Sequence, residues 1–197
     1  MNMTRLDKQI AFIVEVDKLK HIYRQSVITG TNRHETDAEH SWHMALTAMV
    51  LAEHVDGYSI DVAKVMKMAL IHDVVEIDAG DTYCYDATAG KDKLEREQQA
   101  ADRLFGLLPE DQAAEFRALW EEFEAAVTPE ARFAAAIDRL QPLLLQYYTE
   151  GKSWQDHGVT SDQVRKRNQH TKDISMALGK FVNEVITESI ERGYLQK

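Results

Sequence analysis

The sequence predicts an all-α fold in a single domain, and two observations indicate it. Only three prolines and nine glycines interrupt the 197 residues, so long stretches remain in which a helix can continue. Apolar residues recur with helical spacing along these stretches, and no segment alternates apolar and polar residues as a half-buried strand does. A chain of this length builds one good hydrophobic core, and we therefore expect one domain over residues 1–197.

The first half of the chain is predicted to hold three helices, at about residues 7–23, 37–55 and 60–77. A loop at 26–33, marked by Thr29-Gly30-Thr31-Asn32, separates the first two helices. The second helix begins with a capping box, in which Thr36 is the N-cap and Glu39 reaches back to it. The third helix is mostly apolar, and Ala79-Gly80 ends it.

The second half is predicted to hold four more helices, at about residues 91–105, 109–126, 128–150 and 161–192. Residues 81–90 form a predicted loop, and 151–159 an irregular connection. Thr128-Pro129 is a helix start, an N-cap followed by proline at the first helical position. Thr160 and Gln163 fit a second capping box. The apolar stripe of the last helix is predicted to be core, with a subunit interface as the alternative.

Composition excludes several classes of function. With 33 acidic and 23 basic residues the net charge is −10, which argues against broad binding to nucleic acid or to an anionic membrane. The one cysteine, Cys84, cannot form an internal disulfide, which favours a reducing compartment. No stretch approaches the roughly 20 apolar residues of a membrane span, and the first residues have no apolar signal core. We therefore expect a soluble cytoplasmic protein that acts on a small molecule.

The adjacent pair His72-Asp73 is the most informative feature of the chain. It lies in the apolar run 65–77, which lacks glycine and proline and is too long for an ordinary buried strand. Both side chains continue apolar stripes of the predicted helix, and the helix neighbours of Asp73 include no cation. Because a buried carboxylate needs a cation or a full set of hydrogen bonds, its partner must come from outside this helix. A metal ion is the leading candidate.

Three further polar residues lie where a core is expected. Asp138 sits mid-helix among apolar residues without a cation neighbour, although an arginine from another helix would also satisfy it. His40 shares a helix face with apolar residues, and spacing alone does not choose between it and His43. Glu76 follows His72 by one helical turn and can point into the same cavity. Two histidines and two aspartates supply a mixed ligand set, which predicts one divalent transition metal: Mn, Co, Fe, Ni or Zn.

The order His40, His72-Asp73 and Asp138 resembles the H…HD…D pattern of the HD superfamily of metal-dependent phosphohydrolases. The match extends to Ala38-Glu39-His40-Ser41, to Glu76 three residues after the pair, and to Gly80-Asp81. These motifs are similar to the branch with the bacterial 5′-deoxynucleotidases and the oxetanocin-like phosphohydrolases. The resemblance covers about residues 19–148 and implies an HD-type helical bundle, in a family that tends toward homodimers.

The resemblance also implies a role for each matching residue. The metal ligands would be His40, His72, Asp73 and Asp138. Glu76 would handle the proton on water or on the leaving group, and Asp81 would contact the sugar or help position the nucleophile. Arg24 would orient the phosphate, which a guanidinium binds well in a bidentate geometry.

Two departures from that branch fall where the nucleoside would sit. The deoxynucleotidases carry a Trp after the phosphate-binding Arg, whereas this chain has Gln25, and their Gly-Asp continues as Leu-Pro-Thr, whereas this chain continues with Thr82. The expected function is metal-dependent removal of phosphate from (deoxy)nucleoside 5′-monophosphates. Because of the two departures, the resemblance does not imply selectivity for the 2′-deoxy sugar. The alternatives are an HD hydrolase acting on another nucleotide or small phosphoester, and a non-enzymatic metal-binding helical scaffold or sensor.

Overall fold

The computed structural model describes residues 3–86 and 92–197 of the chain. Over the first range the elements are α1 (Arg5–Val16), β1 (Tyr23–Val27), β2 (His34–Thr36), α2 (Asp37–Leu51), α3 (Val62–Ile71) and α4 (Glu76–Ala79). Over the second range they are α5 (Lys93–Phe105), α6 (Glu110–Ala125), α7 (Pro129–Tyr148), α8 (Lys152–Asp156), α9 (Ser161–Asn168) and α10 (Met176–Glu191). Helices dominate both ranges, so the all-α prediction is confirmed. The predicted loop at 81–90 and the predicted helix start at 91 lie partly outside the described residues.

Three helix starts are where the sequence predicts them. Thr36 accepts a hydrogen bond from the backbone N–H of Glu39 at 3.3 Å, and the Glu39 carboxylate accepts from the Thr36 N–H at 3.0 Å. Thr128 accepts from a backbone N–H in the first turn of α7 at 3.3 Å. The Thr160 N–H donates to Gln163 Oε1 at 2.9 Å. Local capping therefore sets where α2, α7 and α9 begin.

A short hairpin replaces part of the predicted first helix and the loop after it. The helix ends at Val16 and continues as one 3₁₀ turn, and the antiparallel strands β1 and β2 follow. Tyr23 pairs with Thr36 and Val27 with His34, with an irregular register between them. Strands of five and three residues are too short to show a clear alternation, which is why the sequence does not predict them.

The predicted last helix is in fact two helices with a break between them. α9 ends at Asn168, a 3₁₀ turn covers Thr171–Asp173, and the side chain of Ser175 caps α10 by accepting from the Leu178 N–H at 3.1 Å. The turn packs closely on α10, because a Cβ at Gly179 would lie 2.6 Å from the Cβ of Lys172. The predicted irregular connection at 151–159 similarly contains the short helix α8.

The apolar stripe of α10 belongs to the core, because its central residues are buried inside the chain. Val182 is 2% exposed and Ile186 is fully buried. The prediction that this stripe is core is confirmed for most of its residues, whereas Phe181 is 41% exposed. Within the described residues, no helix is long and apolar enough to cross a membrane.

The pair His72-Asp73 lies at the end of α3, not in the middle of a long helix. α3 ends at Ile71, and the chain continues as the 3₁₀ turn His72–Val75 before α4 begins. A 3₁₀ turn winds more tightly than an α-helix and changes where successive side chains point. Both residues of the pair are buried, and they lie beside α2 and α7, which pack against α3 and against each other.

Candidate metal centre

The structure brings together the four side chains that the sequence suggests as metal ligands. His40 comes from α2, His72 and Asp73 from the turn after α3, and Asp138 from α7. The Nε2 atom of His40 lies 3.2 Å from Asp138 Oδ1 and 3.8 Å from Asp73 Oδ2. The Nε2 atom of His72 lies 3.1 Å from Asp73 Oδ1 and 3.7 Å from Asp138 Oδ1. Two ring nitrogens and two carboxylates therefore face one small volume.

Both histidines are oriented by their other ring nitrogen. His40 Nδ1 lies 2.8 Å from Gln141 Oε1, and His72 Nδ1 lies 2.9 Å from the backbone carbonyl of Ala69. Both partners are acceptors, so each Nδ1 carries the hydrogen and donates it. The Nε2 atom of His72 is buried and has no hydrogen-bond partner within residues 3–86 and 92–197. A ring held by Nδ1, with a buried Nε2 that lacks a partner, is the arrangement of a metal-binding histidine.

The spacing of these atoms fits a single divalent ion. Such ions bind imidazole nitrogen and carboxylate oxygen at about 2.0–2.2 Å, so two atoms on one ion lie at most about 4.4 Å apart. The separations between histidine nitrogens and carboxylate oxygens range from 3.1 to 3.8 Å. A ligand set of two nitrogens and two oxygens suits a transition metal.

The electrostatics of the cluster favour a positive charge at its centre. Burial alone would favour a neutral Asp138, but its hydrogen bond with His40 and its charge interactions with His40 and His72 hold the pKa of that carboxyl well below its usual range. Burial alone would also lower the pKa of His72, but the carboxylates of Asp73 and Asp138 raise it to about 9. In the metal-free protein a proton on His72 therefore supplies the charge that an ion would otherwise supply.

The external partner of Asp73 is an arginine from the hairpin. Arg24 Nη1 donates to Asp73 Oδ2 at 2.7 Å, and it lies 3.3 Å from Asp37 Oδ1. The side chain of Arg24 is mostly buried. Burial alone would lower its pKa, but the nearby carboxylates hold the pKa well above its usual value. β1 thus brings to the cluster a cation that helix spacing could not reveal.

Two further carboxylates adjoin the cluster, from Glu76 and Asp37. Both are buried, and one oxygen of each lacks a hydrogen-bond partner among the residues that the structure describes. Burial and the neighbouring carboxylates raise the pKa of Glu76 well above its usual range and that of Asp37 to about 7. Asp37 was not among the predicted site residues, although its position three residues before His40 places both on one helix face.

The cluster lies at the wall of a cavity of about 380 Å³. His72, Asp73 and Asp138 line this cavity, whereas His40 is fully buried behind them. The sequence-predicted residues Arg24, Gln25, Glu76, Asp81 and Thr82 line it as well. One cavity therefore collects the candidate ligands and the residues suggested for substrate binding.

Aromatic and basic side chains complete the cavity, and sequence reasoning missed them. The aromatic group includes Tyr83, Tyr85 and Trp154, and the ring of Tyr83 also lies 4.6 Å from that of His157. The basic residues are Lys93, Arg139 and Arg167. They come from α5, α7 and α9, which are far apart in the sequence, so no local spacing could have revealed them.

The family of the chain follows from a comparison with known proteins. A model of the HD domain matches residues 16–178, which is more than half of the chain. The chain belongs to the HD domain family. The resemblance of the His40, His72-Asp73 and Asp138 pattern to that family is thereby confirmed.

Several relatives of this HD protein have known sequences or structures. It is 32% identical to the human 5′-deoxynucleotidase HDDC2 over 136 residues, which span 68% of this chain and 65% of that protein. It is 26% identical to the Xenopus laevis 5′-deoxynucleotidase HDDC2, across 96% of this chain and 85% of that protein. A predicted metal-dependent phosphohydrolase from Magnetospirillum magnetotacticum is 52% identical, with a TM-score of 0.93 over 98% of this chain and 96% of that one.

A buried glutamine of the HD protein, Gln141, connects the cluster to a third histidine, His43. Gln141 accepts from His40 through Oε1, and its Nε2 donates to Glu35 Oε1 at 2.6 Å and to His43 Nδ1 at 3.1 Å. His43 is therefore connected to His40 through Gln141. Burial raises the pKa of Glu35 to about 7. Gln141 follows Asp138 by one helical turn, a spacing that signals a shared face.

Proposed function

We propose that this HD protein is a divalent-metal-dependent phosphohydrolase that removes phosphate from nucleoside 5′-monophosphates. The observation that carries the proposal is the convergence of His40, His72, Asp73 and Asp138 at the wall of a cavity that also contains Glu76. The name of the human and Xenopus relatives, 5′-deoxynucleotidase, supports the same substrate class. In this proposal the four residues hold one transition ion, which is Mn, Co, Fe, Ni or Zn.

The chemistry divides between the ion and the side chains of the chain. When bound, the ion supplies Lewis-acid stabilisation of phosphoryl oxygens and lowers the pKa of a nearby water. Burial and the carboxylates of Asp73 and Asp37 raise the pKa of Glu76 well above its usual range, which favours the protonated form that a general acid needs. Water forms a new bond to phosphorus as the bond to the 5′ oxygen breaks, and Glu76 gives its proton to that oxygen. The proton released by the water then restores Glu76.

Polar residues that line the cavity would meet the sugar. Gln25 and Thr82 both line the cavity and are half-buried, and Asp81, which precedes Thr82 in the sequence, lines it as well. A glutamine amide can both donate to and accept from a hydroxyl, so it can accommodate a 2′-hydroxyl. We therefore propose that ribonucleotides and deoxyribonucleotides are both substrates. Asp81 contacts the sugar or orients the attacking water.

A cytoplasmic homodimer is the state that we propose for this enzyme. Four apolar residues on one face of α1 are at least half exposed: Leu6, Ile10, Ile13 and Val14. On α2, Trp42 and Val50 are each 62% exposed. Apolar helix faces of this kind are typical of subunit interfaces. Light scattering is expected to give the mass of a dimer for the wild type and that of a monomer for Ile13→Glu. The single cysteine supports a reducing compartment.

Phosphate release tests the proposed activity. Protein stripped with a chelator is supplied with Mn, Co, Fe, Ni or Zn and incubated with a panel of ribo- and deoxyribonucleoside 5′-monophosphates. We expect release only with added metal, and from both sugar series. Glu76→Gln should bind metal normally and lose at least a hundredfold in kcat, as loss of a general acid does. Glu53→Gln, an exposed change outside the cavity, is the matched control. No release with any metal from folded, metal-loaded protein would contradict the proposal.

A further inference from the structure

The cavity extends away from the candidate metal centre along α7. Asp138, Pro142 and Gln146 follow one another at intervals of four residues, and all three line the cavity. Eight residues of α-helix rise about 12 Å, which is a little more than two turns. The proposed function places the phosphoryl group at the metal centre beside Asp138. A nucleoside attached to that phosphate is long enough to extend toward Gln146, so the residues at this end would meet the nucleobase.

The end of the cavity near Gln146 has an aromatic wall, which consists of Tyr83, Tyr85 and Trp154. Trp154 belongs to α8, which begins shortly after the end of α7 and packs against it. The ring centroid of Tyr83 lies 4.6 Å from that of His157, the residue that follows α8. The two ends of the cavity therefore differ: metal-binding side chains line one, and flat aromatic rings line the other.

The ring of Tyr83 is held in place by its neighbours. It packs edge to face against Tyr85, with the ring centroids 5.4 Å apart and the ring planes at 75°. On another side it contacts His157, which does not itself line the cavity. The Nδ1 atom of His157 donates to the backbone carbonyl of Ser153 at 2.9 Å, which fixes that ring to α8. Tyr83 is half-buried, so part of its ring stays open to a ligand.

A fixed aromatic ring at the wall of a cavity is suited to bind another flat ring by stacking. We propose that Tyr83 stacks on the nucleobase of the substrate, and that Tyr85 and Trp154 complete the wall around it. This inference rests on the proposed function, which supplies a nucleoside 5′-monophosphate with its phosphate at the metal centre. Tyr83 lies in the segment after Asp81 where the chain departs from the deoxynucleotidase branch, so the family resemblance does not supply this role.

Stacking predicts a particular pattern of selectivity. Every base has a π-face, so a stacking site accepts all four bases and disfavours a sugar phosphate that lacks a base. We expect AMP to bind roughly 5- to 150-fold more tightly than ribose 5-phosphate, the range for one stacked base. The Kd values of AMP, GMP, CMP and UMP should agree within about tenfold.

Calorimetry with AMP and with ribose 5-phosphate tests the assignment. The parent protein is metal-loaded Glu76→Gln, in which hydrolysis is slow. Adding Tyr83→Ala should bring the Kd for AMP close to that for ribose 5-phosphate and leave the latter unchanged, which shows that the variant is folded and holds its metal. Tyr83→Leu fills more of the volume and should also lose most of the preference, whereas Tyr83→Phe should keep it. Tyr58→Ala removes an exposed tyrosine outside the cavity and is the matched control.

The outcomes separate this inference from the proposed activity. The stacking role is overturned if the parent protein binds AMP no more tightly than ribose 5-phosphate, or if Tyr83→Ala and Tyr83→Leu both keep the preference for AMP. Failure of the proposed function has a different signature, because the wild type would then release no phosphate from any nucleotide. A preference for AMP that is lost with the ring of Tyr83 would still support the stacking site in that case.

Discussion

At the residue scale, the proposed metal ion would compete with a proton for the Nε2 atom of His72. The carboxylates around it raise the pKa of His72 to about 9, so the metal-free protein carries the proton at neutral pH. An ion can bind Nε2 only after that proton leaves. We expect metal affinity to rise about tenfold per pH unit between pH 7 and 8.5, and to level off above about 9.

Proton release measures this competition directly. Titration calorimetry in buffers of different ionisation enthalpy should show roughly one proton released per ion bound at pH 7. Because the pKa of His72 is raised, its protonated form stabilises the metal-free fold, and this contribution is fully present below about pH 6.5. The contribution is lost as the pH rises through about 9. Metal binding without proton release at pH 7 would contradict this account.

Gln141 should control metal affinity without touching the ion. Gln141→Leu removes the acceptor of His40 Nδ1 and leaves that buried N–H without a partner. Loss of such a supporting hydrogen bond weakens metal binding about 10- to 100-fold. Competition with a chromophoric chelator measures the change. Gln146→Leu, a buried glutamine on the same helix, is the control and should keep wild-type affinity. Equal affinities in both variants would remove Gln141 from this role.

The residues of the site divide into those that local spacing reveals and those that it cannot. His72, Asp73 and Asp138 stand out in the sequence because they are polar residues on apolar stripes without a cation neighbour. The cation beside Asp73 is Arg24, which reaches it across 49 residues of sequence from a strand that was not predicted. A contact between distant elements depends on tertiary packing, and one sequence contains no record of it.

At the element scale, predictions succeeded where the signal is local. Thr36, Thr128 and Thr160 mark helix starts through hydrogen bonds within one turn, and the structure has all three. The break between α9 and α10 was missed because Ser175, its cap, follows a stretch that helical spacing allows to continue. The short hairpin was missed for the opposite reason, since its pairing joins residues separated by a loop.

The cap of α10 is an element-scale test of stability. Ser175 is fully buried and its hydroxyl accepts from the Leu178 N–H, so Ser175→Ala leaves that N–H without its side-chain partner. We expect a loss of about 0.5–2 kcal/mol in the free energy of unfolding, measured by urea denaturation. Ser59→Ala changes an exposed loop serine and should stay within about 0.5 kcal/mol of the wild type. A change no larger than in this control would mean that the cap does not stabilise α10.

At the scale of the whole molecule, the candidate ion would connect elements that are distant in sequence. Its proposed ligands come from α2, the turn after α3, and α7, and these elements pack around one core. Because the unfolded chain does not hold these ligands together, binding stabilises only the folded state. At an ion concentration about 100 times the Kd, this contributes about 2.7 kcal/mol. For a chain of this size the melting temperature should rise roughly 5–11 °C.

Differential scanning fluorimetry of the metal-stripped protein, with and without added ion, measures this rise. Asp138→Asn weakens one proposed ligand and keeps the size of the side chain, so its melting temperature should respond much less to the ion. Asp102→Asn, a change on α5 outside the cavity, should respond as the wild type does. An equal rise in all three proteins would mean that the ion binds elsewhere and that the cluster around Asp138 does not hold it.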